Sequence, residues 1–138
     1  MDAKVIWKGK MSFDGTANSQ FIIPLGTAAE SGGDNDGFRP MELLLVGLAG
    51  CTGMDVISIL EKKKQDVTAF EVRVHADRAE THPKIFTKIV LEYIITGHSI
   101  EKEAVERAVE LSSTKYCSAE AMLAKVAEIV NSILIVEA

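Results

Sequence analysis

The chain has 138 residues, 47% of them apolar and 25% charged, with a formal net charge of −5. That length predicts one domain over residues 1–138, large enough to bury a core. The acidic balance excludes an electrostatic attraction to nucleic acid or to an anionic membrane, and Met1-Asp2-Ala3-Lys4 leads straight into strand-like sequence with no export signal, so a cytoplasmic location is expected.

Residues 3–12 alternate apolar and polar side chains around Val5, Trp7 and Met11, which predicts a half-buried strand. Asp14-Gly15 reads as a turn and residues 17–24 as a second strand, giving an opening β-hairpin. Residues 26–37, GTAAESGGDNDG, read as a mobile loop of the kind that can rim a site. Pro40 then suits the first turn of a helix, where its missing donor is not needed. That helix is predicted to run from Arg39 to about Lys64 and is apolar on nearly every side from Leu43 to Leu60. Such a helix is expected to be buried all round. Its length raises the question of a membrane span, but three glycines and the carboxylates of Glu42 and Asp55 argue against one. Gly47, Gly50 and Gly53 form a thin stripe, which favours close approach of a sheet or of a second copy of the helix.

Residues 69–80 and 85–96 alternate cleanly around the turn Thr81-His82-Pro83-Lys84 and predict a long hairpin with one apolar face. Ser99 is a candidate N-cap for a helix over 100–113 that turns Ala104, Val105, Ala108, Val109 and Leu111 inward. Ser118 is placed to cap a short helix to about Ala124, with Glu120 in its first turn. The β-branched residues 126–136 predict a closing strand. The order β-β-α-β-β-α-α-β, dominated by hairpins, makes the fold class α+β with largely antiparallel sheets around a central, buried, cysteine-bearing helix. A helix apolar all round needs more cover than one small chain supplies, so a homodimer is expected.

Cys51 lies inside the apolar helix, where a thiol is most often inert core. Cys117 stands at the start of a short helix, where unpaired N–H groups favour a thiolate. The two are 66 residues apart, and sequence alone does not bring them together. His75, His82 and His98 have no Cys or acid at metal-ligand spacing, so no metal site is expected, and no glycine-rich phosphate loop follows a strand.

The segment PMELLLVGLAGCTGMDVISIL, followed by KYCSAEAML, resembles the OsmC/Ohr family of osmotically inducible and organic-hydroperoxide-resistance proteins, and within it the small YhfA-like branch. The resemblance runs from WKGKMSFDG near the start to the last strand. It implies an intertwined α+β homodimer with the cysteine helices central, and a thiol peroxidase acting on small organic hydroperoxides without a cofactor. Carried over by position, Cys51 attacks the peroxide and becomes a sulfenic acid, Cys117 resolves it as a disulfide, and an external dithiol reductant restores both. Leu44, Leu48 and Met54 would supply apolar walls for an alkyl hydroperoxide. The family's peroxidases activate the first thiol with an arginine oriented by a glutamate. Here the only upstream arginine near the helix is Arg39, and the carboxylate stands at Glu42, one place after Met41, which occupies the family's glutamate position. Glu42 precedes Cys51 by nine residues, roughly 13.5 Å along a helix, so it would reach the thiol only from a second subunit. The shifted pair keeps open an alternative from another class: a dimeric redox-sensing or small apolar ligand-binding protein of the same fold, without turnover.

Overall fold

The computed structural model describes residues 1–138 and divides into two compact units, Met1–Leu45 and Val46–Ala138. The fold is α+β, with two three-stranded sheets and three α-helices.

The first unit holds β1 (Ala3–Gly9), β2 (Ser12–Ala17) and β3 (Ile23–Leu25) in an antiparallel meander. The predicted turn at Asp14-Gly15 is instead strand, because the chain reverses earlier. Gly9 and Lys10 adopt positive φ of 109° and 47°, and the Trp7 Nε1–H donates to the Lys10 carbonyl at 2.9 Å. Gly15 is needed for packing rather than turning: a Cβ there would press on Leu25 Cδ1 at 3.1 Å. A second turn, closed by the Gln20 N–H on the Ala17 carbonyl, splits the predicted strand 17–24 and leaves β3 short. β1 is not half-buried as expected, since Val5, Ile6 and Trp7 are 59%, 53% and 64% exposed. The loop expected to be mobile is tied down. Gly26 N–H donates to the Phe38 carbonyl, Phe38 N–H to that of Pro24, and Ser12 Oγ to Asp36 Oδ2 at 2.6 Å. It also carries one 3-10 turn at Ala29–Ser31.

Helix α1 (Pro40–Lys62) starts on the proline, as its sequence predicts, and passes from the first unit into the second. It is not buried all round. One stripe, Leu48, Thr52, Val56 and Leu60, is fully buried at four-residue spacing, while Leu44, Val46 and Met54 are exposed. α1 is long and apolar enough to cross a membrane by length and composition. Its buried stripe, interrupted by a hydrogen-bonded threonine, is the pattern of a helix laid on a core.

The second unit is built on β5 (Phe86–His98), the central strand between antiparallel β4 (Asp66–Arg78) and parallel β6 (Glu128–Glu137). The strand pairing is thus largely antiparallel, as the hairpin pattern suggested, with the β5–β6 pair as the parallel exception. The crossover from β5 carries α2 (Lys102–Leu111), one π-helical turn (Ser112–Tyr116) and α3 (Ser118–Leu123), long enough to return the chain alongside its starting strand. Ile89, Leu91, Tyr93 and Ile95 on one face of β5 are fully buried. Phe70 and Val72 of β4 face Gly53 of α1, where a Cβ would sit 3.5 Å from Val72 Cγ2. α2 buries Ala104, Val105, Ala108 and Val109, as its periodicity predicts. Ser99 does not cap it: that residue has φ of 51°, and its N–H donates to Glu137. The N-cap is Glu101, which makes no side-chain bond to the helix.

Candidate active site

Cys51 sits at mid-helix in α1, partly exposed, one residue before the buried stripe position Thr52. Cys117 is buried, 3% exposed, at the break between the π-helical turn and α3. Both thiols are free, and although they stand 66 positions apart in the chain, Cys51 lies near enough to the Cys117 thiol to contribute to its upward pKa shift. Local backbone chemistry fixes Cys117. Its N–H donates to the Ser112 carbonyl at 2.8 Å, its φ of −75° and ψ of 102° end the helical run, and its Sγ accepts the Glu120 N–H at 3.3 Å. The residue that caps α3 is thus the cysteine itself and not Ser118.

The sequence expectation of a thiolate at Cys117 is reversed. Burial drives the thiol well above its ordinary value, and the Glu120 N–H opposes that without offsetting it. The nearby Cys51 thiol and the Glu120 charge push it further up, so Cys117 keeps its proton.

A network of hydroxyls surrounds the pair, none of them singled out by the sequence. Thr52 Oγ1 lies 2.8 Å from both Tyr93 Oη and Ser112 Oγ, and the Ser112 hydroxyl reaches Asp55 Oδ2 at 2.9 Å. Asp55, one turn after Cys51, is therefore not an unpaired carboxylate. Burial holds the Tyr93 phenol up at about 12, with the charges of Glu120, Cys117 and Asp55 adding to the effect. Ser113 Oγ donates to Glu120 Oε1 at 2.7 Å and lies 3.4 Å from Asn131 Nδ2. Glu120, which sequence reads as a favourable first-turn acid, is 4% exposed, and its Oε2 has no protein partner. The signal that could have found the cluster is weak: a threonine inside an apolar run, and paired serines where α2 loses its periodicity.

An open cleft of about 540 Å³ lies on the second unit, lined by Met54, Asp55, Ser58, Ile59, Lys62, Lys63, Leu111 and Tyr116. Of the apolar walls expected for a substrate, Met54 lines this cleft, whereas Leu48 is sealed in the core.

Arg39 and Glu42 lie at the start of α1, in the first unit. Arg39 Nη1–H donates to the Gly37 carbonyl at 3.0 Å and Nη2–H to Asn35 Oδ1 at 2.6 Å. Glu42 Oε1 accepts the Arg39 backbone N–H at 2.8 Å, the reach-back half of a capping box. The two side chains do not pair with each other.

These observations meet the comparisons with known proteins at one point. The chain is 39% identical to Protein YhfA of Escherichia coli (strain K12) over 139 aligned positions that cover 100% of both chains. A crystal structure of a hypothetical protein from Aquifex aeolicus VF5 is similar at TM-score 0.87 and 31% identity, covering 99% of this chain and 96% of that one. An organic hydroperoxide resistance protein OsmC from Legionella pneumophila shares the fold at TM-score 0.71 and 18% identity, covering 96% and 95%. The family model described as OsmC-like protein matches residues 33–130, from the loop before α1 to the start of β6 and so through both cysteines, and the chain belongs to the OsmC-like protein family.

Proposed function

We propose that the protein is a cysteine-based, peroxidase-like redox protein that reduces organic hydroperoxides. The observation that supports this is the nearness of two free thiols, a buried Cys117 whose proton is held by burial and a more accessible Cys51 close enough to add to that effect. In this reading Cys51 attacks the peroxide oxygen as a thiolate and becomes a sulfenic acid, releasing the alcohol. Cys117 then displaces water to give a disulfide, which an external dithiol reductant opens. The fold shared with a protein described as an organic hydroperoxide resistance protein supports the substrate class. Two free thiols fit a reducing, cytoplasmic setting.

The family match crosses the boundary between the two units, which we read as parts of one domain. We read the assembly as a homodimer. Gly47 and Gly50 of α1 face open space, and Leu44, Val46 and Met54 of the same helix are exposed. Arg39 and Glu42 are then the cation and carboxylate that a second copy would bring toward Cys51.

A coupled assay tests the reading: reduction of cumene hydroperoxide with a dithiol reductant, for the wild type and Cys51→Ser. The expected result is turnover in the wild type and loss of it, on the order of 100-fold or more, in the variant. Equal rates would end the peroxidase reading. One observation favours a second reading, a redox sensor of the same fold without efficient turnover. The Arg39 guanidinium is engaged by Gly37 and Asn35, and the Glu42 carboxylate is spent on a backbone N–H. A protein that forms the disulfide once with hydroperoxide but turns over no faster than Cys51→Ser would support it.

A further inference from the structure

We propose that Glu120 is the proton acceptor for the Cys117 thiol when that thiol attacks an oxidised Cys51. The inference rests on the reading of Cys51 as the sulfur that is oxidised, and it fills a step which that reading leaves open. A thiol held in its protonated form by burial is a poor nucleophile until something takes its proton.

Three observations converge on Glu120. The residue is more than nine-tenths buried, and its Oε2 has no partner, a costly state for a carboxylate oxygen that serves no purpose. Its backbone N–H holds the Cys117 sulfur at 3.3 Å, so the residue with the orphaned oxygen also positions the reacting atom. Its charge adds to the burial that raises both Cys117 and Tyr93, which places it near both groups.

The bland alternative is a capping box, since Cys117 is the N-cap of α3 and Glu120 stands three residues later. In a capping box the carboxylate accepts the N-cap N–H. Here the Cys117 N–H is already given to the Ser112 carbonyl, and the other oxygen, Oε1, is engaged by Ser113 Oγ. Oε2 is left over by both uses. The other titratable groups facing the thiol are poorly placed to serve. Cys51 of α1 is the reaction partner, Tyr93 of β5 retains its own proton, and Asp55 of α1 is engaged by Ser112.

The step balances as follows. The Cys117 S–H bond breaks and its proton moves to Glu120 Oε2. The sulfur bonds to the sulfur of the Cys51 sulfenic acid, and the S–O bond breaks. The departing hydroxide takes the proton from Glu120 and leaves as water. Cys117 is oxidised as Cys51 sulfenic acid is reduced to the disulfide, and the hydroperoxide that made the sulfenic acid is the net oxidant.

The step can be isolated from peroxide chemistry. Dithionitrobenzoate caps the more accessible Cys51 and releases one thionitrobenzoate; attack by Cys117 then releases a second, and the rate of that second release is measured. Glu120→Gln is expected to slow it on the order of 100-fold. It should also turn a rate that is level from neutral to mildly alkaline pH into one that climbs with hydroxide. A second release in Glu120→Gln as fast as in the wild type, or faster, overturns the proposal, because a carboxylate acting through its charge alone holds the proton on Cys117. The wild type by itself provides a check independent of the variant's folding. A second release that climbs about tenfold per pH unit across that range, as an unassisted buried thiol requires, also overturns it. Trapping of a sulfenic acid with dimedone in Cys117→Ser after cumene hydroperoxide tests the underlying reading alone, so the two failures are distinguishable.

Discussion

At the scale of single residues, the centre of the second unit is a set of hydroxyls that sequence does not mark. Thr52 links Tyr93 and Ser112 from a fully buried position. Removing its oxygen while keeping its shape takes one hydrogen bond from each of two buried partners, leaving Ser112 with Asp55 and Tyr93 with only a 3.5 Å contact to Asn131 Oδ1. Thr52→Val is therefore expected to destabilise the fold by about 1–3 kcal/mol, and Thr52→Ser by clearly less, as read by urea unfolding. Cys117 and Tyr93 add a pH dependence with a definite sign. Both are raised in the folded state, so each favours folding fully below its ordinary value of 9.0 or 10.0 and loses that contribution as pH rises toward the folded value, about 12 for Tyr93. The native state holds the extra proton in that window, so stability should fall with alkali. Cys117→Ala and Tyr93→Phe should each flatten the slope of unfolding free energy against pH by about 1.4 kcal/mol per unit. Individual cysteines were visible in the sequence, but their nearness was not, because it depends on how α1 and the crossover after β5 pack. Burial then decided against the thiolate that helix-terminus electrostatics favoured at Cys117.

Elements were legible where local chemistry fixes them. Pro40 and the apolar run mark α1, and the face of α2 follows from Ala104, Val105, Ala108 and Val109. Boundaries failed where a competing local signal won. Gly9 and Lys10 took the reversal from Asp14-Gly15, and Ser99 adopted a left-handed backbone instead of capping α2. The parallel pairing of β6 with β5 was not readable, because a β-branched run specifies a strand and not its neighbour. The burial of α1 was overestimated from its composition, and the difference carries information. Gly53 packs against β4, whereas a Cβ on Gly47 or Gly50 would meet nothing in the same chain. Gly50→Leu is therefore expected to leave a single chain folded, with unchanged far-ultraviolet circular dichroism. It should, however, weaken association at least tenfold in sedimentation equilibrium, because it blocks the approach of a second helix. Unaltered association would show that this stripe is not an interface.

For the whole molecule, the order of predicted elements pointed to the α+β class and the resemblance to the family, and both are found, in the fold and in the family match over residues 33–130. The exposed apolar side chains of the first unit, Trp7 and Phe21 among them, and those of α1 are more than a stable monomer usually leaves in water. A species of twice the 15.0 kDa chain mass is accordingly expected in solution. The central claim is that Cys51 and Cys117 act as one redox unit, and intact-mass measurement of the reduced protein after a single equivalent of cumene hydroperoxide tests it most directly. The account predicts rapid loss of two hydrogens per chain, with both thiols closed to alkylation and reopened by a dithiol. Thiols that stay reduced and alkylatable, or a Cys51 that gains oxygen while Cys117 remains free, would contradict it.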